Sequence, residues 1–279
     1  MTPASRSRSP RTGTRPQTPD RLPFDAPRRA GEAERVLKLT VAYDGTDFHG
    51  FAAQRDLRTV ERVLVDALGK VLRVPVVLSC AGRTDAGVHA WGQVVSCAVD
   101  ASTDAAALQR AVNRQLAPEV VVRDAGFAEP GFDARHSAEW RAYRYTVVNR
   151  AAPDPFLARY AWWVGEPLDV ARMRLAADPF VGEHDFASFC RRGPEGSTSV
   201  RRVLASEWRD EGEGILRYEI RATAFCWQMV RSVVGTLVDV GLGTLRPGDI
   251  MGILRSQDRA NAGRLAPPEG LCLYDVGYR

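Results

Sequence analysis

The feature that most constrains the fold is a succession of strand-like and helix-like segments that occurs twice along the chain. Apolar and polar residues alternate over residues 36–43, and residues 60–72 carry apolar side chains at i, i+3, i+4 and i+7. These periods are typical of a half-buried strand and an amphipathic helix. Each half follows the order strand, helix, strand, strand, helix, strand. The order predicts an α+β sandwich with helices on one face of a largely antiparallel sheet.

The individual elements follow from the same periodicities and from the turn residues between them. The predicted strands cover 36–43, 74–78, 94–99, 120–123, 142–148, 200–208, 214–224 and 271–278. The predicted helices cover 60–72, 104–116, 168–177, 229–241 and 249–255. We expect Thr59 to cap the first helix. The halves share no evident sequence identity, so their duplication is inferred from the pattern alone.

The composition divides the chain into a tail and two folded halves. Residues 1–34 are rich in Pro, Arg, Ser and Thr and contain few large apolar side chains. Such a segment cannot bury enough surface to offset its ordering entropy. We therefore predict a disordered basic tail over 1–34, an N-terminal α/β half over 35–134 and a C-terminal α/β half over 135–279.

Charge and cysteine content narrow the class of protein. The formal net charge is +4, and lysine occurs only at Lys38 and Lys70, so nearly all basic residues are arginine. Arginine suits an RNA partner, although genomic base composition is the larger cause of such a bias. The five cysteines lack CxxC spacing and paired histidines. This excludes the usual zinc motifs and indicates reduced thiols in the cytoplasm. No apolar run approaches the ~20 residues that span a bilayer, so we expect no membrane partner.

The stretch 79–90, SCAGRTDAGVHA, lies between two strand-like segments and contains two glycines, an arginine, an aspartate and a histidine. Gly82 and Gly87 permit a tight turn, and loops of this kind carry function. Arg83 lies two residues from Asp85 and favours an ionised carboxylate, which can act as a nucleophile or a base. The alternative is an aspartate that only hydrogen-bonds the local backbone.

The segment 82–90, followed by Gly92-Gln93-Val94-Val95, resembles the central motif of the tRNA pseudouridine synthase A family. Further blocks that resemble this family lie in the same order and extend the likeness over residues 36–279. They are Tyr43-Asp44-Gly45 with Gly50, Ala134-Arg135 with 141–145, 182–186 with Ser188-Phe189, Thr198 with Arg201, Phe225 with 229–231 and Gly235, and Glu269-Gly270-Leu271.

The resemblance implies an isomerase that converts uridine to pseudouridine at positions 38, 39 and 40 of the tRNA anticodon stem-loop. Asp85 would be the nucleophile, and the reaction would use no cofactor and no metal. The resemblance also implies a cytoplasmic homodimer that binds the anticodon arm of tRNA. The expected fold has two pseudo-duplicated ferredoxin-like (RRM-like) α/β sandwich halves, with the catalytic cleft between them.

The resemblance assigns further site residues. Arg231 matches the arginine that pairs with the catalytic aspartate, and Tyr143 matches the tyrosine that contacts the target base. Tyr145, on the same strand face, is expected in the core. Arg83 would bind RNA phosphate or the displaced strand, or alternatively bond loop carbonyls. Leu271 would line the substrate pocket, although core packing is the default for a leucine.

Two positions depart from the family pattern. The family usually has Gly-Trp-Gln where this chain has Gly50-Phe51-Ala52, and a polar pair, commonly histidines, where this chain has Trp227-Gln228. These changes concern the nearby RNA contacts and leave the chemistry at Asp85 unaffected. His89 is expected to be structural, because the reaction needs no imidazole.

Two other functions stay open at this point. One is a tRNA-binding protein that has kept the fold without the catalysis. The other is a hydrolase that releases free uracil, which would use paired carboxylates. The motif contains one evident carboxylate, Asp85, so the isomerase is the favoured hypothesis.

Overall fold

A mixed sheet runs through residues 34–193 and 196–279, the part of the chain that this computed structural model describes. Its strands there are β1 (Glu34–Tyr43), β2 (Ser79–Cys80), β3 (His89–Asp100), β4 (Val120–Phe127), β5 (Trp140–Asn149), β6 (Trp162–Val164), β7 (Gly182–Asp185), β8 (Val200–Asp210), β9 (Ile215–Ala222) and β10 (Leu271–Gly277). The helices are α1 (Val60–Leu72), α2 (Ala105–Leu116), α3 (Val170–Ala177), α4 (Met229–Gly241) and α5 (Asp249–Ser256). Single 3-10 turns lie at Asp178–Phe180, Ala187–Phe189 and Arg259–Asn261.

The sheet order joins the two halves through the last strand of the chain. The order is β4-β1-β3-β10-β5-β9-β8-β7, with β2 beside β3 and β6 beside β5. Among the described strands, only β3–β10 and β5–β6 pair in parallel. Strand β10 sets Cys272 against His89 on one side and Leu273 against Tyr143 on the other. The largely antiparallel α+β fold is therefore confirmed, and β10 brings the central loop next to the second half.

The predicted domain boundaries can be compared with the strands of the described residues. The disordered tail predicted over 1–34 lies outside the described residues, apart from Glu34, which begins β1. Strands β1 to β4 come from residues 35–134 and β5 to β10 from residues 135–279, apart from Glu34 itself. The division into two halves at 134 stays a prediction, because both stretches share the same sheet.

The core forms where the apolar periodicities meet. In β1, Leu37, Leu39 and Val41 are fully buried, while the residues between them are only partly covered. Helix α1 buries Val60, Leu64, Ala67 and Leu68 and packs beside α2, and α3 packs beside α4. In both β1 and α1, the apolar positions of the sequence pattern are therefore the ones that the structure buries.

Helix α4 differs from the prediction of a single apolar face. Every residue of α4 except Arg231 is buried, including Ser232, Thr236 and Asp239. The segment 263–266 covers two of them, since Gly263 N–H donates to Thr236 Oγ1 at 3.0 Å and Arg264 N–H to Asp239 Oδ2 at 2.9 Å. These hydrogen bonds allow Thr236 and Asp239 to be buried without a large penalty, whereas the buried Ser232 hydroxyl has no hydrogen-bond partner among the described residues.

The predicted strand over 74–78 is wrong. These residues lie outside the sheet, with Val77 82% exposed, and pairing begins only at Ser79, opposite Ser96. Strand β3 has β1 along one side and shares the other between the two-residue β2 and β10. Pro75 stands within this run and has no N–H to donate to a ladder, which disfavours a strand over these residues. Strand β3 itself begins at His89, inside the motif and earlier than predicted.

Candidate active site

The loop of residues 81–88, between β2 and β3, holds Asp85 through backbone hydrogen bonds. Val88 N–H donates to the Asp85 carbonyl at 3.1 Å, and Phe51 N–H donates to the Thr84 carbonyl at 3.0 Å. Gly50 adopts φ +91°, and an added Cβ there would lie 2.9 Å from the Thr84 carbonyl oxygen. A glycine is therefore required for this close approach, which fixes the loop from the side of residues 44–51.

Three side chains from different strands pin the same loop. Gln93 on β3 accepts a hydrogen bond from Gly82 N–H at 3.3 Å and donates to the Gly82 carbonyl. The Tyr43 and Thr84 hydroxyls are hydrogen-bonded at 2.8 Å. Arg141 Nε donates to the Ala81 carbonyl at 3.0 Å. Sequence reasoning gave these three side chains no role, although Tyr43, Gln93 and Arg141 stand inside the blocks that resemble the family.

The structure brings Asp85 and Arg231 together. Arg231 Nη1 lies 3.9 Å from Asp85 Oδ2, and Arg231 Nε donates to the Ala266 carbonyl at 2.7 Å. The Arg231 side chain is 12% exposed and that of Asp85 is 43% exposed. The guanidinium is thus anchored to the backbone while it faces a carboxylate that solvent or a substrate can reach. A separation of 3.9 Å leaves room for this contact to tighten when a substrate binds.

Tyr143 lies in the same place but is largely buried. Its ring meets Phe225 edge-on, with 4.9 Å between the ring centroids. Burial, and after it the charge of Asp85, raises the pKa of the Tyr143 phenol, so the group stays protonated at neutral pH. Tyr145 is fully buried and donates to the Pro267 carbonyl at 2.7 Å, which confirms its place in the core.

A cleft of about 1900 Å³ contains all five predicted site residues. Asp85, Arg231, Tyr143, Arg83 and Leu271 line it. Arg83 is exposed and makes no hydrogen bond or ion pair with any residue in the described ranges. Leu271, at the start of β10, is 6% exposed. Their roles stay predictions, but their common location allows all five to contact one bound molecule.

The wall of the cleft is strongly basic. In the described part of the chain it contains eight arginines against three acidic residues. The arginines are Arg83, Arg135, Arg141, Arg191, Arg192, Arg201, Arg231 and Arg259, and the acidic residues are Glu61, Asp85 and Asp258. Clefts lined by one sign of charge concentrate ligands of the opposite sign. The arrangement suits a polyanion such as RNA.

His89 lies behind the loop, outside the cleft lining. Its Nδ1 accepts a hydrogen bond from Gly45 N–H at 3.0 Å, so its Nε2–H donates to the Glu269 carbonyl at 3.1 Å. Burial lowers the pKa of the imidazole below its usual value and favours this neutral form. The structural role predicted for His89 agrees with these contacts.

Two features are absent from residues 34–193 and 196–279. No group of three or more His, Cys, Asp or Glu side chains there is arranged to hold a metal ion. No helix in that part of the chain has the length and apolar character needed to cross a membrane.

Comparison with known proteins gives the family. The family model described as tRNA pseudouridine synthase matches residues 39–132 and 176–279, one match in each half. The protein named tRNA pseudouridine synthase A in Leifsonia xyli subsp. xyli is 44% identical over 265 residues, covering 87% of this chain and 91% of that protein. Its namesake in Bacillus subtilis strain 168 is 40% identical over 246 residues, covering 87% and 98%. The chain therefore belongs to the tRNA pseudouridine synthase family, whose members are isomerases that convert uridine to pseudouridine in tRNA.

Proposed function

We propose that this chain isomerises uridine to pseudouridine at positions 38, 39 and 40 of the tRNA anticodon stem-loop, with Asp85 as the nucleophile. The observation that carries the proposal is the partly exposed Asp85 carboxylate beside the anchored guanidinium of Arg231, inside an arginine-lined cleft. The choice of positions rests on the resemblance of the motifs to the tRNA pseudouridine synthase A family.

The target uridine must leave the RNA stack before a side chain can reach it. Extrusion of a nucleotide costs a few kcal/mol. Contacts of the cleft arginines with RNA phosphates offset this free-energy cost. Arg83 is suited to such a contact, because it is exposed and has no bonding partner among the described residues.

The reaction then rearranges one nucleoside without an external reactant. The carboxylate of Asp85 forms a transient covalent bond to the nucleoside, the bond between uracil N1 and ribose C1′ breaks, and the base turns. A bond forms between C5 and C1′, the bond to Asp85 breaks and regenerates the carboxylate, N1 gains a proton and C5 loses one, so the product is an isomer of the substrate. In this scheme Arg231 holds the carboxylate, the protonated phenol of Tyr143 contacts the base and relays a proton, and Leu271 gives the base an apolar wall.

Asp85→Asn tests the nucleophile. We expect release of tritium from tRNA labelled at uridine C5 to fall by at least about a thousandfold, because an amide cannot form the covalent bond. The affinity for tRNA is expected to persist. Asp258→Asn is the matched control, since Asp258 lines the same cleft. Asp258 also caps a 3-10 turn through a side-chain oxygen, and asparagine retains an oxygen at that position.

The outcomes separate the proposed isomerase from its rivals. Substantial turnover by Asp85→Asn would refute the role of Asp85. A wild-type protein that binds tRNA and leaves it unmodified would indicate a non-catalytic binding protein. Free uracil in the reaction would indicate a hydrolase.

The assembly and location are proposed on the resemblance alone. We expect a cytoplasmic homodimer in which one tRNA bridges both subunits through its anticodon arm. Sedimentation equilibrium with and without tRNA measures the stoichiometry, and a monomer at assay concentrations would contradict the dimer.

A further inference from the structure

The indole of Trp227 is the largest unpartnered apolar group in the described wall of the cleft. Its side chain lines the cleft and is 51% exposed. Trp91 and Trp163 are similarly exposed, but Arg123 covers the ring of Trp91 at 3.9 Å and Trp163 Nε1 donates to a carbonyl at 2.9 Å. Trp227 makes no ring contact and no side-chain hydrogen bond with any described residue. An open aromatic ring in an arginine-lined cleft has a free face on which a nucleic-acid base can stack.

The backbone around Trp227 is held by hydrogen bonds, so the position of its Cα in the cleft wall is fixed. The Trp227 carbonyl accepts a hydrogen bond from Arg191 N–H at 3.0 Å, and Met229 N–H donates to the Cys226 carbonyl at 3.2 Å. Gln228 adopts a left-handed φ of +62° directly before α4. The indole therefore projects from a turn whose backbone is held, so a ligand that covers it has only the side-chain torsions to order.

The position of this turn connects Trp227 to the catalytic residues. Phe225, two residues earlier, packs edge-on against Tyr143, and α4, which begins two residues later, carries Arg231. A nucleotide beside an extruded uridine would therefore lie near the indole. Arg191 and Arg192 line the same cleft and supply positive charge for its phosphate.

We propose that Trp227 is a stacking platform for an RNA base that flanks the target uridine. An exposed indole beside arginines offers a base plane and phosphate contacts together, the combination that binds single-stranded or splayed nucleotides. This inference rests on the proposed function and extends it to how the substrate is held. Trp227 acts by positioning RNA and takes no part in bond breaking.

The first experiment compares Trp227→Ala and Trp227→Phe with the control Trp91→Ala, whose ring is 49% exposed and lies outside the cleft lining. The substrate is an anticodon-arm RNA with uridine at positions 38–40. We expect Trp227→Ala to raise Kd and KM about tenfold and to change kcat less than about threefold, because the lost stacking is made before and during catalysis alike. Trp227→Phe should recover most of the affinity, and Trp91→Ala should match the wild type.

The second experiment identifies the base. Abasic nucleotides are placed one at a time on either side of the target uridine, and Kd is measured for wild type and Trp227→Ala. At one position the abasic change should weaken wild-type binding about tenfold and have no added effect in Trp227→Ala, which is the signature of a direct contact.

Each result decides the inference. Equal Kd values for Trp227→Ala and Trp91→Ala would overturn it, as would additive effects at every abasic position. Failure of the wild type to modify the RNA would refute the proposed function, while the Kd comparison would still test stacking. Thermal unfolding of Trp227→Ala should match the wild type, because the ring has no described partner to lose.

Discussion

Arg231 shows how a single side chain joins the candidate active site to the fold. Its Nε donates to the Ala266 carbonyl and its Nη1 faces Asp85. One planar guanidinium thus contacts the backbone with one nitrogen and the carboxylate with another. Its own carbonyl accepts a hydrogen bond from Ala266 N–H at 3.1 Å, which binds the same segment a second time. A guanidinium presents several donors in a fixed plane, whereas an ammonium is a point charge. The geometry therefore requires arginine and not merely a positive charge.

Arg231→Lys tests this requirement. We expect kcat for pseudouridine formation to fall about 10- to 150-fold, which corresponds to the ~1.5–3 kcal/mol of a charge-assisted hydrogen bond. The reason is that lysine cannot hold the Ala266 carbonyl and face Asp85 together. Arg259→Lys is the matched control, because Arg259 lines the same cleft but donates to the carbonyls of Ala262 and Gly263. An unchanged rate for Arg231→Lys would remove Arg231 from the catalytic machinery.

At the scale of elements, α4 and the segment 263–266 form one unit. Thr236 Oγ1 donates to the Ser232 carbonyl at 2.8 Å and accepts from Gly263, while Asp239 is paired with Arg264. Gly235 lies against this segment so closely that an added Cβ would collide with the Arg264 carbonyl. The helix thus fixes the segment that contains Ala266, whose carbonyl anchors Arg231.

Gly235→Ala is expected to weaken both the fold and the site. The methyl group must displace the segment 263–266, so we expect a loss of ~1–3 kcal/mol in the free energy of unfolding and a fall in kcat. Urea unfolding and tritium release measure the two effects. Gly252→Ala in α5 is the control, since its added Cβ meets no atom within 4 Å and alanine favours a helix by ~0.5–1 kcal/mol. If Gly235→Ala is as stable as Gly252→Ala, the close packing of α4 on 263–266 is disproved.

For the whole molecule, the buried ionisable groups determine the response to alkaline pH. Burial raises the pKa of the Tyr43, Tyr145 and Tyr218 phenols far above the usual 10.0. Burial also raises the pKa of the Cys80 and Cys97 thiols from 9.0 to about 11. The folded chain therefore keeps protons that the unfolded chain releases. The stability that these groups contribute is complete below pH 9 and is lost as the pH rises through 10 and above.

We expect the free energy of unfolding to decrease above pH 10, by about 1.4 kcal/mol per pH unit for each tyrosine that ionises only on unfolding. Urea unfolding at pH 8, 9, 10 and 10.5 measures the slope. Tyr218→Phe removes one such phenol and its 2.7 Å contact with Ser206, so it should start less stable and show a shallower slope. A slope identical to that of the wild type would contradict the assignment.

The sequence by itself determined the family and most of the local elements. The apolar periods of α1 and β1 depend only on neighbouring residues, and both elements formed where they were predicted. Asp104 caps α2 by accepting a hydrogen bond from Ala107 N–H, an interaction within one turn. The motif around Asp85 likewise identified the family before any contact was known.

Only the tertiary structure decided which distant segments meet. Residues 74–78 have strand-forming side chains, yet they make no ladder pairs and lie outside the sheet. Thr59 occupies the N-cap position of α1, yet its hydroxyl is buried and makes no capping bond. Strand β10 separates β3 from β5 and so sets Tyr143 near Asp85, while α4 supplies Arg231 from far along the chain. Local preference acts over a few residues, whereas pairing and burial depend on surfaces that exist only once the chain has folded.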